Sequence, residues 1–300
     1  MMRLARLQQL TTLGLAAFAV SWALYWLAEG RAMLAAAGAL VIVLGYSAVL
    51  ALEFIMLRAA HGSDPAPRAR PAELLGAWWG EVHAAPRVFC WQQPFRSLRF
   101  ADHLPPDSRG RRGVVLVHGF VCNRGIWNPW LARLHAAGVP CVAVDLAPVF
   151  GSIDQYVDII EDAVRRIEQA TGRAPVIVAH SMGGLALRRW WAERGDAMRV
   201  HHAITIGTPH RGTWLARFAF SLNGRQMRQD SGWLRSLAER ESPKLARSLT
   251  CFYGHCDNIV FPPSTATWPG ADNRHLSGVA HVDMVMRPEP WAELQRWLQD

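Results

Sequence analysis

The run from Val176 to Gly184 constrains the fold of this chain more than any other segment. It reads Val-Ile-Val-Ala-His-Ser-Met-Gly-Gly, an apolar strand pattern that stops at Ser181. A sharp strand-to-helix turn that holds a serine hydroxyl clear of the backbone requires small residues two positions before and after the serine. Ala179 and Gly183 occupy those positions. The run therefore predicts a nucleophile elbow, and the alternative is a buried strand followed by a glycine-rich helix start.

A second apolar run, from Gly113 to Val117, is typical of a central parallel strand that is buried on both faces. In folds with such an elbow, the loop after this strand and the residue after the nucleophile each supply a backbone N–H to an oxyanion. We assign these donors to Phe120 and Met182. His118 precedes the serine, whereas these folds order their triad as serine, acid and histidine. It is therefore predicted to support the oxyanion loop and not to act as the base.

The acid and the base are expected downstream of the serine. A strand pattern that begins at Ser248 ends in a glycine turn and Asp257, which would orient a histidine and stabilise its imidazolium form. His281 lies in a glycine-started loop before the last helical segment and is the predicted base; His255 and His275 are its rivals. The residues predicted to support the elbow and the oxyanion loop are His118, Gly119, Ala179, His180 and Gly183.

These motifs resemble those of bacterial α/β-hydrolases of the triacylglycerol lipase and esterase type, from about Gly113 to the C-terminus. The matching segments are His118-Gly119-Phe120, Ala179 to Gly184, Gly207 to Thr213 and the regions of Asp257 and His281. The resemblance implies an α/β-hydrolase fold, with a mostly parallel central sheet and helices on both faces. It also implies cleavage of carboxylic esters through an acyl-enzyme, without a cofactor.

Some secreted lipases of this type carry calcium beside the catalytic histidine. Asp283 matches the first ligand of that site, but Arg287 stands where a glutamine would be the second. Because a cation there would repel calcium, no metal is expected.

Between these motifs, apolar strands alternate with helical segments, which is typical of a parallel sheet covered on both faces. We place this domain at residues 88–300. The stretch of about 212–248 interrupts the alternation and is rich in aromatic residues and arginines, so we interpret it as a cap over the active site. A mobile lid and a fixed helical insertion are both consistent with its composition.

Residues 1–60 differ in composition from the rest of the chain. The segments from Leu10 to Ala28 and from Ala32 to Leu57 are almost wholly apolar, and spanning a bilayer takes about 20 such residues. They predict a transmembrane hairpin, although a cleaved signal peptide is an alternative for the first segment. Flanking arginines predict that both ends, and the catalytic domain, face the cytoplasm from the inner membrane. Glu53 is expected near the interface, reaching water or pairing with Arg58.

Residues 61–87 are predicted to form a linker and an amphipathic helix. Trp78 and Trp79 could lie either at the headgroup level or against the catalytic domain. The net charge of +8 favours contact with an anionic leaflet, and no motif indicates a nucleic-acid partner. The five cysteines form no disulfide or zinc pattern, which agrees with a reducing compartment.

The sequence therefore predicts a membrane-anchored serine hydrolase of carboxylic esters, with lipid acyl esters as the preferred hypothesis. An esterase or thioesterase for soluble substrates would use the same residues. A membrane-tethered binding module without catalytic activity is a third interpretation. The sequence does not indicate an oligomeric state.

Overall fold

A computed structural model describes residues 2–194 and 199–299. The helices before the first strand are α1 (Met2–Ala28), α2 (Ala32–Leu44), α3 (Tyr46–Ala60), α4 (Pro71–Pro86) and, after a π-helical stretch at Arg87–Gln92, α5 (Gln93–Arg96). The strands are β1 (Val114–Val117), β2 (Cys141–Ala143), β3 (Val176–His180), β4 (His202–Ile206), β5 (Leu249–Gly254) and β6 (Asp272–Leu276). The helices among and after them are α6 (Asn128–Ala136), α7 (Val157–Thr171), α8 (Met182–Arg194), α9 (Leu222–Gln226), α10 (Gly232–Arg240) and α11 (Pro288–Gln299).

The strands that the structure describes form one six-stranded parallel sheet in the order β2-β1-β3-β4-β5-β6. β3 lies between β1 and β4, with His180 paired to Ile206 at its carboxyl end. In open parallel sheets, ligands bind beyond the carboxyl ends of the strands. The topology therefore brings the segments after β1, β3, β4 and β5 to one edge of the sheet.

Alternate strand residues enter two separate cores. Val115 and Ile177 pack with α7 and α8 on one face, whereas Leu116 and Val178 pack with α6 and α11 on the other. This alternation follows from the two-residue period of a strand, and every residue of β1 is buried because both faces are covered. The predicted parallel sheet with helices on both faces is confirmed, and the domain from β1 to α11 is called the sheet domain below.

Helices α1 and α2 pack against each other as a hairpin, and α3 packs on the sheet domain. The Leu4–Ala28 helix has the length and hydropathy of a membrane span, a test that a signal sequence near an N-terminus also passes. The second apolar segment is not one helix: α2 and α3 are bent by 49° at Gly45, and they count as a second span only if taken together. The chain thus offers one candidate span, or two with the bent pair, among its described residues.

Helix α3 packs on the sheet domain. Phe54 and Leu57 are buried in a cluster with Phe261 and Ala280. Within the N-terminal region, the Trp78 indole N–H donates to the carbonyl of Ser47 at 2.9 Å, and the Tyr46 hydroxyl donates to the carbonyl of Val82 at 2.7 Å. Trp78 is therefore half-buried and packs against the cluster that contains Phe261 and Ala280, whereas Trp79 is exposed.

Helix α10, in the segment 212–248, packs beside the sheet. Leu234 and Leu237 of α10 are buried, and Leu234 belongs to the core that contains α7 and α8. The Trp233 indole N–H donates to both carboxylate oxygens of Asp154 at 3.1 Å. Phe220 is exposed, so it does not contribute to this packing. The aromatic residues of the segment therefore divide between a core contact and the surface.

Candidate active site

Ser181 stands at a strained turn between β3 and α8. Its φ is +54°, in the left-handed region that non-glycine residues rarely adopt, and its N–H donates to the carbonyl of Ile206 at 2.9 Å. A Cβ at Gly183 would lie 2.5 Å from the carbonyl oxygen of His118, which explains the need for glycine there. Ala179 is fully buried as the penultimate residue of β3. The turn therefore has the predicted geometry of a nucleophile elbow.

Asp257 and His281 form a buried hydrogen-bonded pair. The Nδ1–H of His281 donates to Oδ2 of Asp257 at 2.9 Å, and the two side chains are 6% and 1% exposed, respectively. The other carboxylate oxygen of Asp257 accepts the N–H groups of Ile259 and Val260 at 2.9 and 2.8 Å. Because the proton is on Nδ1, Nε2 of His281 is left with a lone pair that can accept a proton.

Nearby carboxylates favour the protonated form of the histidine. Burial lowers the pKa of His281, but the charge and hydrogen bond of Asp257, together with the charges of Glu81 and Glu53, raise it above its ordinary value of 6.5. Gly207 makes this packing possible, because a Cβ there would lie 3.0 Å from Oδ2 of Asp257 and 3.1 Å from Nδ1 of His281. Gly207 was part of the matched motifs, but sequence reasoning gave it no role at the site.

Two further contacts hold the backbone of His281, and one of them begins in the hairpin. The N–H of His281 donates to Oδ1 of Asn258 at 3.2 Å, and the amide of Asn258 donates to Glu53 at 2.6 Å. Glu53 thus contacts Asn258 at the catalytic edge of the sheet and does not form the expected pair with Arg58, which donates to the carbonyl of Ala69 at 3.2 Å. On the other side, Nε2–H of His180 donates to the carbonyl of His281 at 3.3 Å.

Glu81 of α4 fixes the loop that follows the histidine. Its side chain is 1% exposed, and it accepts the N–H groups of Val282 and Asp283, each at 3.1 Å. Burial raises the pKa of Glu81 to about 7, although these N–H groups and the charge of His281 oppose the shift. Sequence reasoning gave neither Glu53 nor Glu81 a role at the site, because each lies about 200 residues from its partner and in a segment interpreted as an anchor or a linker.

The loop after β1 is organised by His118. Its Nε2 accepts the N–H of Leu146 at 3.0 Å, so the proton is on Nδ1, which donates to the carbonyl of Gly119 at 2.9 Å. Burial lowers the pKa of His118, which keeps this ring neutral. A Cβ at Gly119 would lie 2.7 Å from Cβ of Ser181, so the loop passes directly beside the elbow. His118 therefore positions a loop, as predicted from its place before the serine.

The two predicted oxyanion donors flank Ser181. Phe120 follows Gly119 in this loop and lines the cavity that contains the serine. Met182 is the first residue of α8, where backbone N–H groups have no acceptor within the helix. Val121, next to Phe120, has a φ of +52°, which is unusual for a β-branched residue and marks local strain in the loop.

Ser181 and His281 share one cavity of about 870 Å³. Ligand pockets commonly occupy about 300–1,000 Å³, so this volume is near the upper end of that range. Helices α1, α2 and α3 contribute much of its wall, including Leu15, Val49 and Glu53. Of the described residues in 212–248, none lines it. Much of the wall beside the serine therefore comes from the N-terminal helices, and the cap expected at 212–248 contributes no lining residue among those described.

Residues 114–298 match a protein-family model described as the alpha/beta hydrolase family. The match covers more than half of the 300 residues and includes the whole sheet with Ser181, Asp257 and His281. The chain belongs to the alpha/beta hydrolase family. A search of curated proteins found no match to this hydrolase.

Solved structures show the same fold at low sequence identity. A Bacillus licheniformis lipase in its mature form has a TM-score of 0.56 and 18% identity, over 65% of this hydrolase and 95% of that lipase. Aspergillus fumigatus lipase B has a TM-score of 0.53 and 20% identity, over 66% of this hydrolase and 56% of that enzyme. At such identities the likeness concerns the fold of the sheet domain.

The rival histidines of the hydrolase pair with each other at a separate place. Nδ1 of His255 and Nε2 of His275 are 2.8 Å apart, and Nε2 of His255 lies 3.3 Å from a carboxylate oxygen of Glu73. Neither histidine lines the cavity of Ser181 among the residues that the structure describes. His281 is therefore the predicted base that the structure brings to the serine.

The segment compared with a calcium site contains an ion pair. A guanidinium nitrogen of Arg287 lies 2.7 Å from a carboxylate oxygen of Asp283. This ion pair engages the carboxylate that a metal ion would need as a ligand. Within residues 2–194 and 199–299, no group of three or more His, Cys, Asp and Glu side chains could hold a metal ion.

Proposed function

We propose that this hydrolase cleaves carboxylic esters, and that its substrates are acyl esters of lipids. The observation that carries the proposal is the arrangement of Ser181, at a strained elbow, beside the buried His281–Asp257 pair in the wall of one large cavity. Nucleophile, base and orienting acid are the three parts that activate a serine hydroxyl.

In the proposed reaction, Oγ of Ser181 attacks the ester carbonyl carbon while Nε2 of His281 takes the hydroxyl proton. The N–H groups of Phe120 and Met182 stabilise the negative charge on the carbonyl oxygen. Collapse of the tetrahedral intermediate expels the alcohol, which receives the proton from His281, and leaves an acyl-enzyme. Water then repeats the sequence and releases the carboxylic acid, so atoms and charge balance over the cycle. Asp257 keeps the histidine in the required tautomer throughout.

Three observations support lipid esters over soluble ones. Apolar residues of α1 and α3 form the cavity wall, the Leu4–Ala28 helix is apolar enough to cross a membrane, and two lipases share the fold. We further propose that the hairpin anchors the enzyme in the inner membrane with the sheet domain on the cytoplasmic side. Gln8 and Gln9, near the start of α1, donate to Gln93 and Pro94 of α5. Phe54 and Leu57, in the second half of α3, pack on the sheet domain, so both ends of the hairpin lie beside the enzyme.

The first test uses the full chain in detergent and a fluorophosphonate probe, which reacts with activated serines. Wild type should be labelled, and Ser181→Ala should lose labelling together with about 10⁴-fold or more of the ester hydrolysis rate. A nitrophenyl ester series from two to sixteen carbons should then give rates that rise with chain length. Rates confined to the shortest esters would indicate a soluble-ester hydrolase, and a folded wild type without labelling would indicate a binding module.

A further inference from the structure

The cavity of Ser181 lies between the sheet domain and the hairpin. Thr12, Leu15 and Ala16 contribute to its wall from α1, and the wall continues through Leu44, Gly45 and Val49 at the junction of α2 and α3. Gly45 is the point at which the two helices bend by 49°. The part of the chain expected to serve as an anchor therefore forms the part of the site opposite the catalytic serine.

The other faces of these same helices are apolar and exposed. Leu10 and Phe18 of α1, Val41 of α2 and Ile55 of α3 are between 56% and 72% exposed. Monomeric soluble proteins rarely expose an apolar area of this extent, which suits contact with lipid. One layer of helix thus has the cavity on one side and a lipid-compatible surface on the other.

We infer that α1 and α3 form the acyl-binding wall of the site, and that the acyl chain of a bilayer lipid enters the cavity between them at the Gly45 bend. This inference rests on the proposed function and adds the source of the substrate, which is a long-chain acyl ester already embedded in the membrane. A chain that moves from the bilayer into an apolar cavity stays out of water. A route through water would instead be opposed more strongly with every added methylene.

The structure offers a matched pair of substitutions on α1. Ala16 lines the cavity and its neighbour Ala17 does not, although both are exposed alanines in the same helix. Ala16→Phe should lower kcat/KM for nitrophenyl palmitate by about tenfold or more, since adding or removing even one methylene in an apolar pocket changes discrimination by roughly 10–200-fold. The loss should be several-fold smaller for nitrophenyl acetate than for nitrophenyl palmitate, and Ala17→Phe should alter neither rate.

A second pair repeats the test on α3 in case Ala16→Phe disturbs folding. Val49 lines the cavity, whereas Ile55 lies on another face of the same helix. Val49→Trp should reduce palmitate turnover selectively, and Ile55→Trp should not. An equal loss for acetate and palmitate in both cavity variants, or no loss in either, would overturn the inference while leaving ester hydrolysis intact. A wild type that hydrolyses no ester would instead overturn the proposed function on which it rests.

Cys90 supplies a direct measure of occupancy. It lines the cavity and is exposed, whereas burial raises the pKa of the other cysteine thiols to about 12: Cys122, Cys141, Cys251 and Cys256. A maleimide should therefore label Cys90 alone. In vesicles of phosphatidylglycerol and phosphatidylcholine, inhibition of Ser181 by a hexadecyl phosphonate should protect Cys90, and a methyl phosphonate should not. Equal labelling after both inhibitors would contradict an acyl chain between the helices.

Discussion

The sheet domain and the N-terminal helices contribute to the site in different ways. The sheet domain provides the reacting groups, each at the carboxyl end of a strand or in the loop after it: Ser181 after β3, Asp257 after β5 and His281 after β6. The N-terminal helices provide groups that position the histidine loop, Glu53 and Glu81, and much of the cavity wall. The proposed catalytic groups and the proposed acyl-binding wall thus come from different parts of the chain, so variants in the two regions should change different kinetic parameters.

The largest effect is expected from Asp257, on the sheet-domain side of the comparison. Asp257→Asn would retain shape but disturb the tautomer of His281, and the corresponding change in a serine protease lowers kcat about 10⁴-fold. The raised pKa of His281 depends on the same carboxylate. Wild-type kcat/KM should rise with pH through a value above 6.5, because only the neutral histidine accepts a proton. In Asp257→Asn the residual activity should rise with pH at a lower value, since the carboxylate that raises the pKa is gone. Rates from pH 5 to 9 measure this shift, with circular dichroism as the control for folding, and an unshifted limb would contradict the coupling.

Stability of the sheet domain should depend most on a buried ion pair that does not touch the cavity. The guanidinium of Arg188 contacts both carboxylate oxygens of Glu241 at 2.7 and 2.9 Å, and both side chains are buried. Glu241→Ala leaves the buried cation without its carboxylate, although the carbonyl of His210 still accepts one of its hydrogen bonds. The free energy of unfolding should therefore fall by about 3–5 kcal/mol. The exposed neighbour Glu239 gives the control, because Glu239→Ala should change little. Urea denaturation followed by tryptophan fluorescence measures both, and equal effects would contradict a role for the pair.

Glu81 should make the junction of the two regions sensitive to pH. Its pKa rises from 4.5 to about 7 on folding, so the folded state binds the proton more tightly. The stability that results is present below pH 4.5 and is lost as pH rises through 7, a change of about 3 kcal/mol. Glu81→Gln still accepts the N–H groups of Val282 and Asp283 but does not titrate. The difference in unfolding free energy between wild type and variant should therefore vary between pH 5 and pH 8, and a constant difference would contradict the shifted pKa.

The smallest effect is expected from Glu53, which acts through Asn258 on the backbone of His281. Glu53→Ala should lower kcat about tenfold with little change in KM, since small misplacements of a catalytic group reduce turnover. Glu53→Gln retains an acceptor for the Asn258 amide and should restore the rate. A loss in both variants, or a change in KM alone, would show that Glu53 serves the cavity and not the histidine.

The sequence was informative where function depends on local geometry. The elbow was predictable because its crowding restricts Ala179 and Gly183, and the sheet was predictable because buried parallel strands are continuously apolar. The bend at Gly45 was not, since an apolar run carries no signal for a change of direction within it. Glu53 and Glu81 could not be assigned to the site for another reason. The sequence does not show whether a helical carboxylate is solvated or accepts a hydrogen bond from a group about 200 residues away. The contribution of the N-terminal helices to the cavity wall was not predictable either, because composition indicates an apolar segment but not the surface that it covers.

The contact between Glu53 and Asn258 joins residues 205 positions apart. A hairpin with this contact is not an exchangeable module. Replacing the first 60 residues with other apolar helices would remove the partner of Asn258 and open one wall of the cavity of Ser181 to water. For protein engineering, the unit to keep intact therefore includes α1 and α3 and extends beyond the residues that match the family model.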